Sequence, residues 1–138
     1  IAFRQDLSEG SEVTHNNLRE KFESGDEKTV NAMKRFSELT TAFYNVIHAQ
    51  NKHFDTSEKF ELLSGYMNEN FDLRKSICAI DSNNLEMIEL ARSCGASAKF
   101  TGSGGAIIGI YDNDKMYENL SETFEKNGIS ILKPDIVP

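Results

Sequence analysis

The sequence has no tryptophan, and only two of its 138 residues are proline and two are cysteine. Long apolar runs are also absent. The longest, at 106–111, is interrupted by Gly109, whereas a membrane-spanning helix needs about 18 or more apolar residues in succession. We therefore expect no membrane partner. Cys78 and Cys94 stand 16 residues apart without a CxxC pattern, and their apolar surroundings predict two buried thiols in a reducing compartment, the cytoplasm.

Basic residues are also fewer than acidic ones. Lys and Arg total 15 against 22 Asp and Glu, which gives a formal net charge of −7. The basic residues are scattered among acids, as in Arg19-Glu20-Lys21. Since nucleic acids and anionic membranes recruit clustered Lys and Arg, neither is an expected partner. The 38% of hydrophobic residues is ordinary for a globular protein and predicts a single domain over 1–138 with a real core.

Apolar residues recur every three or four positions along most of the chain, which is typical of helices with one face against a core. Asp55 and Glu58 have the spacing of a capping box, and Gly95 stands where a helix would end in a left-handed residue. The predicted order is a strand at 1–4, a loop at 6–14, helices at 17–24, 26–47, 55–77 and 81–94, strands at 96–101 and 106–111, a helix at 113–127 and a strand at 129–132.

This order of elements is that of an α+β fold. The last three strands and their helix form a β-β-α-β unit, and the first strand completes the split β-α-β arrangement of ferredoxin-like domains. We therefore predict a four-stranded antiparallel sheet with extra helices in the first crossover. The strand at 106–111 is too apolar for a water-facing edge, so a central position is expected.

The turn between the two predicted hairpin strands, Gly102-Ser103-Gly104-Gly105, is unusually rich in glycine. A hairpin turn needs only two residues with positive φ. Glycines let backbone N–H groups approach a ligand, and successive N–H groups form anion-binding nests. Thr101 and Ser103 add hydroxyl groups at the same place. An anion-binding nest and a mobile hairpin tip are equally open interpretations, whereas a Walker A loop is excluded because a strand follows and no GK[ST] occurs.

Other groups that could carry chemistry have weaker patterns. The three histidines lack the spacing of metal ligands, and no two carboxylates are spaced for acid–base catalysis. We therefore expect no metal site. Asn70, Asp72 and Arg74 lie near the end of a predicted helix, and their spacing alone favours a solvated helix face.

The segment at 95–106, GASAKFTGSGGA, resembles the third motif of the GHMP small-molecule kinases, which runs close to GAKLTGAGGGG. The segment at 67–75, MNENFDLRK, is similar to one in the sugar-acid and sugar-1-kinases of this family, of the glucuronokinase type. Residues 4–10 and 17–22 also fit that type. The resemblance, which is to the family's C-terminal domain, therefore covers nearly the whole chain.

The resemblance implies ATP-dependent phosphorylation of a small hydroxyl compound, a sugar or a sugar acid. In the family, Mg-ATP is held mainly by a PxxxGLGSS loop of the N-terminal domain, which also carries the catalytic Asp of members that use one. No such string occurs in this chain. The resemblance thus implies a substrate-side domain without catalytic residues, inactive alone. Its partner would be an absent N-terminal ATP-binding domain, and the complete enzyme would use ATP and Mg²⁺.

The residues of the family motif can be matched one by one to positions of this chain. The motif implies a loop on the phosphate and acceptor side of the cleft, and an acceptor pocket approached by a helix end. The loop residues are Thr101, Gly102, Ser103, Gly104 and Gly105, and the pocket residues are Asn70, Asp72 and Arg74. Two positions depart from the pattern, since Ser103 replaces a common Ala and Ala106 a common Gly. The first change adds a donor, and the second adds a methyl group where the backbone approaches closely.

Two other functions stay open at this point: a ferredoxin-like module that senses a small anion through the glycine loop, and a protein-interaction domain. The kinase interpretation predicts an exposed apolar patch beside the glycine loop, where the absent domain would dock. A sensor predicts that its ligand raises the melting temperature. The sequence does not define which sugar or acid is the acceptor.

Ile rather than Met stands at position 1, so we expect this chain to be part of a longer polypeptide. An antibody against the domain should detect, in the source cells, a native protein about two to three times as long, the size of two or more domains. The measurement is the intact mass of that protein. A native species of only this size would remove the active site from the kinase interpretation and favour the sensing module.

Overall fold

Five helices and four strands make up the part of the chain that the computed structural model describes, residues 1–4, 12–48 and 54–135. The strands are β1 (Ala2–Phe3), β2 (Ser97–Phe100), β3 (Ala106–Ile110) and β4 (Ser130–Ile131). The helices are α1 (Glu12–Glu23), α2 (Glu27–His48), α3 (Thr56–Ile77), α4 (Ser82–Ser93) and α5 (Asp114–Lys126). Each of these elements overlaps one that the sequence pattern predicts.

The strands form one antiparallel sheet in the order β2-β3-β1-β4. β1 and β3 occupy its centre, with Ala2 opposite Ile107, so the central position predicted for β3 is confirmed. Four helices, α1 to α4, connect β1 to β2, and α5 connects β3 to β4. The predicted α+β fold, ferredoxin-like with extra helices in the first crossover, is therefore confirmed.

The first helix is longer than its apolar pattern indicates. α1 begins at Glu12, whereas the pair Leu18 and Phe22 predicts a start at 17. Residues 12–14 are therefore helical, and the prediction of a loop there is wrong. The rest of that predicted loop, at 6–11, and most of the predicted connection at 48–54 lie outside the described residues. The first turns of α1 contain a single apolar residue, Val13, so they carry no apolar periodicity from which a helix could be predicted.

Side-chain caps define where α3, α4 and α5 begin. The Asp55 carboxylate accepts from the Glu58 N–H at 2.8 Å, and the Glu58 carboxylate accepts from the Asp55 N–H at 2.9 Å, which confirms the predicted capping box. Asp81 caps α4 and Asn113 caps α5, each through a side-chain oxygen that accepts from N–H groups of the first turn. Gly95 follows α4 with a φ of 88°, the left-handed conformation predicted for it.

The core lies between one face of the sheet and helices α3, α4 and α5. Phe71 of α3 is 1% exposed and meets Phe100 of β2 edge to face, with ring centroids 5.3 Å apart. Fully burying a side chain of this size stabilises the fold by roughly 1.5–3 kcal/mol. The other buried members of this core are Ala2, Met87, Ile88, Ala91, Ala96, Ala98, Ile107, Leu120, Phe124 and Ile129.

The outer edge of β2 is covered by α3. Asn68 Oδ1 accepts from the Ala98 N–H at 3.1 Å, which satisfies an edge donor that could otherwise pair with another chain. Arg92 of α4 holds Asn68 in place, because its Nε donates to Oδ1 at 3.1 Å and its Nη2 donates to the Asn68 carbonyl at 3.0 Å. The neighbouring Glu69 forms a bidentate ion pair with Arg35 of α2, at 2.6 and 3.0 Å. α3 is therefore fixed to the sheet and to two helices.

Both cysteines are free and only partly buried, so the prediction of two buried thiols is wrong in its degree of burial. Cys78 and Cys94 are the C-cap residues of α3 and α4, where the chain leaves the helix and solvent reaches it. Of the described helices, none combines the length and the apolar character needed to cross a membrane.

Gly109 of β3 is required by the close approach of β2. A Cβ at this position would lie inside the contact distance of the Ser97 carbonyl oxygen. We expect Gly109→Ala to lower the free energy of unfolding by about 1–3 kcal/mol, as overpacking does elsewhere. Gly65 in α3 is the control, because a Cβ there meets no atom within 4 Å. Gly65→Ala should raise the free energy of unfolding by about 0.5–1 kcal/mol, since alanine is the better helix former.

Urea unfolding followed by circular dichroism measures both variants. If Gly109→Ala were as stable as the unsubstituted chain, the spacing between β2 and β3 would not depend on the glycine.

Candidate functional site

The glycine loop, residues 101–105, joins β2 to β3 and is closed at its base. The Thr101 N–H donates to the Ala106 carbonyl at 3.2 Å, and the Thr101 hydroxyl donates to the same oxygen at 3.3 Å. The Arg4 N–H donates to the Gly105 carbonyl at 3.0 Å and ties the loop to the end of β1. The Thr101 hydroxyl thus helps to close the base of the loop, whereas the Ser103 hydroxyl makes no hydrogen bond to any described residue.

Arg74 of α3 holds two carbonyl groups of the loop. Its Nη1 donates to the Gly102 oxygen at 2.5 Å and its Nη2 to the Ser103 oxygen at 3.4 Å. The guanidinium carbon lies 5.1 Å from the centre of the Phe100 ring, within the range of a cation–π contact. The Arg74 Nε atom is buried and finds no hydrogen-bond partner among the described residues.

Asn84, at the start of α4, holds the other end of the loop. Its side-chain oxygen accepts from the Gly105 N–H at 2.7 Å. Gly104 has a φ of 157°, and a Cβ there would lie 3.2 Å from the Asn84 amide. The sequence pattern places Asn84 only in a capping cluster, and Asp81 alone provides the side-chain cap. Nothing in the sequence links Asn84 to a loop that follows about 20 residues later.

Three consecutive N–H groups of the loop, those of Gly102, Ser103 and Gly104, have no acceptor in the described part of the chain. The C=O and N–H of a trans peptide point in opposite directions, and the described chain has no cis peptide. Because Arg74 holds the Gly102 and Ser103 carbonyls, the Ser103 and Gly104 N–H groups point away from its guanidinium. The loop thus has tertiary contacts on the side of its carbonyls, and its N–H groups at 102–104 lack a described acceptor. Anion binding itself stays a prediction.

The three residues expected to approach an acceptor pocket do not share one site. Asp72 Oδ1 accepts from Arg92 Nη1 at 2.8 Å, beside Asn68, whereas Arg74 lies at the glycine loop. Helix geometry explains the separation, because residues two apart on a helix point to different sides and residues four apart to the same side. Asn70 and Arg74 therefore share one side of α3, and Asp72 does not.

Asn70 lines a groove of about 280 Å³ between α2, α3 and the sheet, which reaches β2 at Lys99, two residues before the glycine loop. Lys99 of β2 contributes the only formal charge to its lining, and its ammonium donates to the Phe100 carbonyl at 2.8 Å. Burial lowers the pKa of this ammonium, and the positive charge of Arg74 lowers it further. Lys99 lies inside the segment that resembles the family's third motif, but the sequence pattern assigns a site role only to residues 101–105 of that segment. The other lining residues are Leu39, Thr40, Phe43, Tyr66, Met67 and Ile108.

Three exposed apolar side chains form a row across the sheet. Since Ala2 pairs with both Ile107 and Ile131, Ile1 lies opposite Ile108 on one side and Leu132 on the other. Side chains alternate along a strand, so this row faces away from the core. Ile1, Ile108 and Leu132 are 37%, 37% and 42% exposed. The row borders the groove at Ile108. It crosses the sheet at β1, β3 and β4 and includes no residue of the glycine loop, so a docking patch beside the loop stays a prediction.

Fold, loop and sequence similarity agree on the class of protein. The family model described as "GHMP kinases C terminal" matches residues 54–126, which is more than half of the chain and includes α3, α4, α5 and the glycine loop. The chain therefore belongs to the GHMP kinase C-terminal family.

Two relatives from Arabidopsis thaliana align with the whole chain. "Probable glucuronokinase 2" is 29% identical over 142 residues, and "Glucuronokinase 1" is 30% identical over 146 residues. The alignments cover 36% and 37% of these two proteins, so the chain spans little more than a third of their length. No solved structure gives a significant match.

Replacing Arg74 tests whether it fixes the loop. A hydrogen bond from a charged donor contributes roughly 1.5–3 kcal/mol, so Arg74→Met should raise the amide exchange rates of Thr101 and Gly105 about 10-fold or more. Arg92→Met is a matched control, because Arg92 also stacks on a core phenylalanine, 5.3 Å from the centre of the Phe71 ring, but does not contact the loop. Hydrogen exchange measured by NMR compares the two. Equal exchange at the loop in both variants would show that Arg74 does not hold it.

Proposed function

We propose that this chain is the C-terminal, substrate-side domain of an ATP-dependent kinase that phosphorylates a hydroxyl group of a sugar acid such as glucuronate. The observation that carries the proposal is the glycine loop, whose carbonyls are held by Arg74 while its N–H groups at 102–104 find no acceptor among the described residues. Family membership and the names of the two relatives support the reaction type and the acceptor class.

The chemistry of phosphoryl transfer explains why such a loop is useful. Negative charge is spread over the oxygens of the transferred group, so catalysis depends on donors that are already in place when the charge develops. The Ser103 and Gly104 N–H groups are donors of this kind, and the contacts from Arg74 and Asn84 hold them without the ligand. The loop residues of this chain would therefore orient phosphate oxygens.

ATP and Mg²⁺ would be held mainly by the rest of the polypeptide. Among the described residues, no three His, Cys, Asp or Glu side chains come together as metal ligands. The aligned relatives have nearly two-thirds of their length outside the region that this chain matches. We propose that this length includes an ATP-binding N-terminal domain, and that it covers the apolar row of Ile1, Ile108 and Leu132. The isolated domain would then be inactive. The two free thiols fit a cytoplasmic location.

The direct test is an assay of the natural polypeptide that carries this chain, with ATP, Mg²⁺ and glucuronate. We expect ADP release that depends on the sugar acid, and none from residues 1–138 alone. Stabilisation by a small anion without any phosphorylation would instead support the sensing module.

Gly104→Val tests the loop within this reaction. The added side chain would collide with the Asn84 amide and displace the loop backbone, which carries the proposed N–H donors. Turnover should therefore fall about 100-fold, as expected when catalytic groups are misplaced by about 1 Å. Gly65→Val is the control, because it introduces the same side chain where no atom lies within 4 Å. Steady-state kinetics give the turnover, and circular dichroism shows whether both variants fold. Unchanged turnover in a folded Gly104→Val variant would exclude the loop from the mechanism.

A further inference from the structure

The groove between α2, α3 and the sheet has apolar walls and one charged group. Leu39 and Phe43 of α2 form part of its wall, and Thr40, Tyr66 and Asn70 add polar groups. Its volume of about 280 Å³ is close to the lower end of the roughly 300–1,000 Å³ found for ligand pockets. A groove with apolar walls and a few polar groups suits a pyranose ring, which has C–H faces and a polar rim.

Lys99, the charged group, has no carboxylate partner in the described part of the chain. Its ammonium donates only to the Phe100 carbonyl, and the nearby Arg74 donates only to loop carbonyls. The two acids that flank Asn70 in α3 are paired elsewhere. Glu69 binds Arg35 at 2.6 Å, and Asp72 binds Arg92 at 2.8 Å.

An ammonium that is partly buried without a counter-ion loses hydration that its carbonyl contact replaces only in part. A chain with a net charge of −7 has many acids, yet none of those described pairs with Lys99. An anionic group of a ligand in the groove would supply the missing counter-ion. A carboxylate fits this single, compact cation, whereas the glycine loop presents the several N–H donors that suit phosphate.

We propose that Lys99 binds the carboxylate of the acceptor acid, and that Asn70, Tyr66 and Thr40 contact its hydroxyl groups in the same groove. The inference rests on the proposed function and adds to it the group that distinguishes a sugar acid from a neutral sugar. Lys99 would be a specificity residue: it binds the end of the acceptor that does not react.

A titration of Lys99 tests binding without turnover. In the natural polypeptide labelled with ¹³C at lysine Cε, glucuronate should raise the pKa of Lys99, because the carboxylate stabilises the ammonium. Neutral glucose should leave that pKa unchanged, as should inorganic phosphate if phosphate binds only at the loop. Lys115, an exposed lysine of α5, is the internal control. A Lys99 signal that does not respond to glucuronate would overturn the proposal, as would an equal response to glucose.

Kinetics test the same contact in the reaction. Lys99→Met should raise the KM for glucuronate about 10- to 100-fold, as expected for loss of a charge-assisted hydrogen bond, with the KM for ATP unchanged. The preference for glucuronate over glucose should fall by the same factor. Lys99→Arg should restore part of it, and Lys115→Met should change nothing.

A second variant guards against misfolding of Lys99→Met. Asn70→Asp keeps Lys99 but adds a carboxylate that competes for it, so it should weaken the binding of glucuronate much more than that of glucose, which loses only the contact between Asn70 and a hydroxyl group. If Lys99→Met raised the KM for glucuronate and the KM for glucose by the same factor, Lys99 would have only a structural role, and the kinase proposal would stand. If the natural polypeptide phosphorylated no sugar at all, the proposed function would be wrong, and the Lys99 titration would still decide whether the groove binds the acid.

Discussion

The packing of Phe71 against Phe100 is the contact on which the rest of this domain depends. It sets α3 alongside β2 with both rings buried. Residues at spacings of three and four along α3 then meet the same structures. Asn68, three residues before Phe71, reaches the edge of β2, and Arg74, three residues after it, reaches the glycine loop. The core, the sheet edge and the loop therefore share one support.

Pairing of charges divides the surface of α3 into two regions. On one, Glu69 and Asp72 are neutralised by Arg35 and Arg92, which link α3 to α2 and α4. Near the loop, Arg74 and Lys99 donate, among the described residues, only to carbonyl oxygens. The chain is acidic overall, yet this region carries two positive charges without a described counter-ion. The net charge of the chain therefore does not describe its local potential, which is what attracts a ligand.

Preorganisation of the loop follows from the same contacts. Arg74 holds two carbonyls, and the planarity of the trans peptide turns the Ser103 and Gly104 N–H groups away from it. Asn84 holds the Gly105 N–H, and Arg4 holds the Gly105 carbonyl through its own backbone. Three elements distant in sequence thus fix a segment whose glycines would otherwise be free to rearrange. The entropic cost of ordering it is met on folding rather than on binding.

Features that depend on neighbours in sequence could be predicted, and contacts between distant residues could not. Apolar periodicity, the Asp55–Glu58 capping box and the left-handed Gly95 are local, so the order of helices and strands and the sheet topology followed from them. The motif around the glycine loop likewise identifies the family.

The predicted start of α1 is wrong because the first turns of this helix have no apolar pattern. Burial of the cysteines and the separation of Asp72 from Arg74 depend on which side of a helix meets a neighbour. Only tertiary packing decides the positions of Asn84 and Lys99 near the loop. Their neighbours there come from distant parts of the chain, which α3 and α4 bring together by packing on β2.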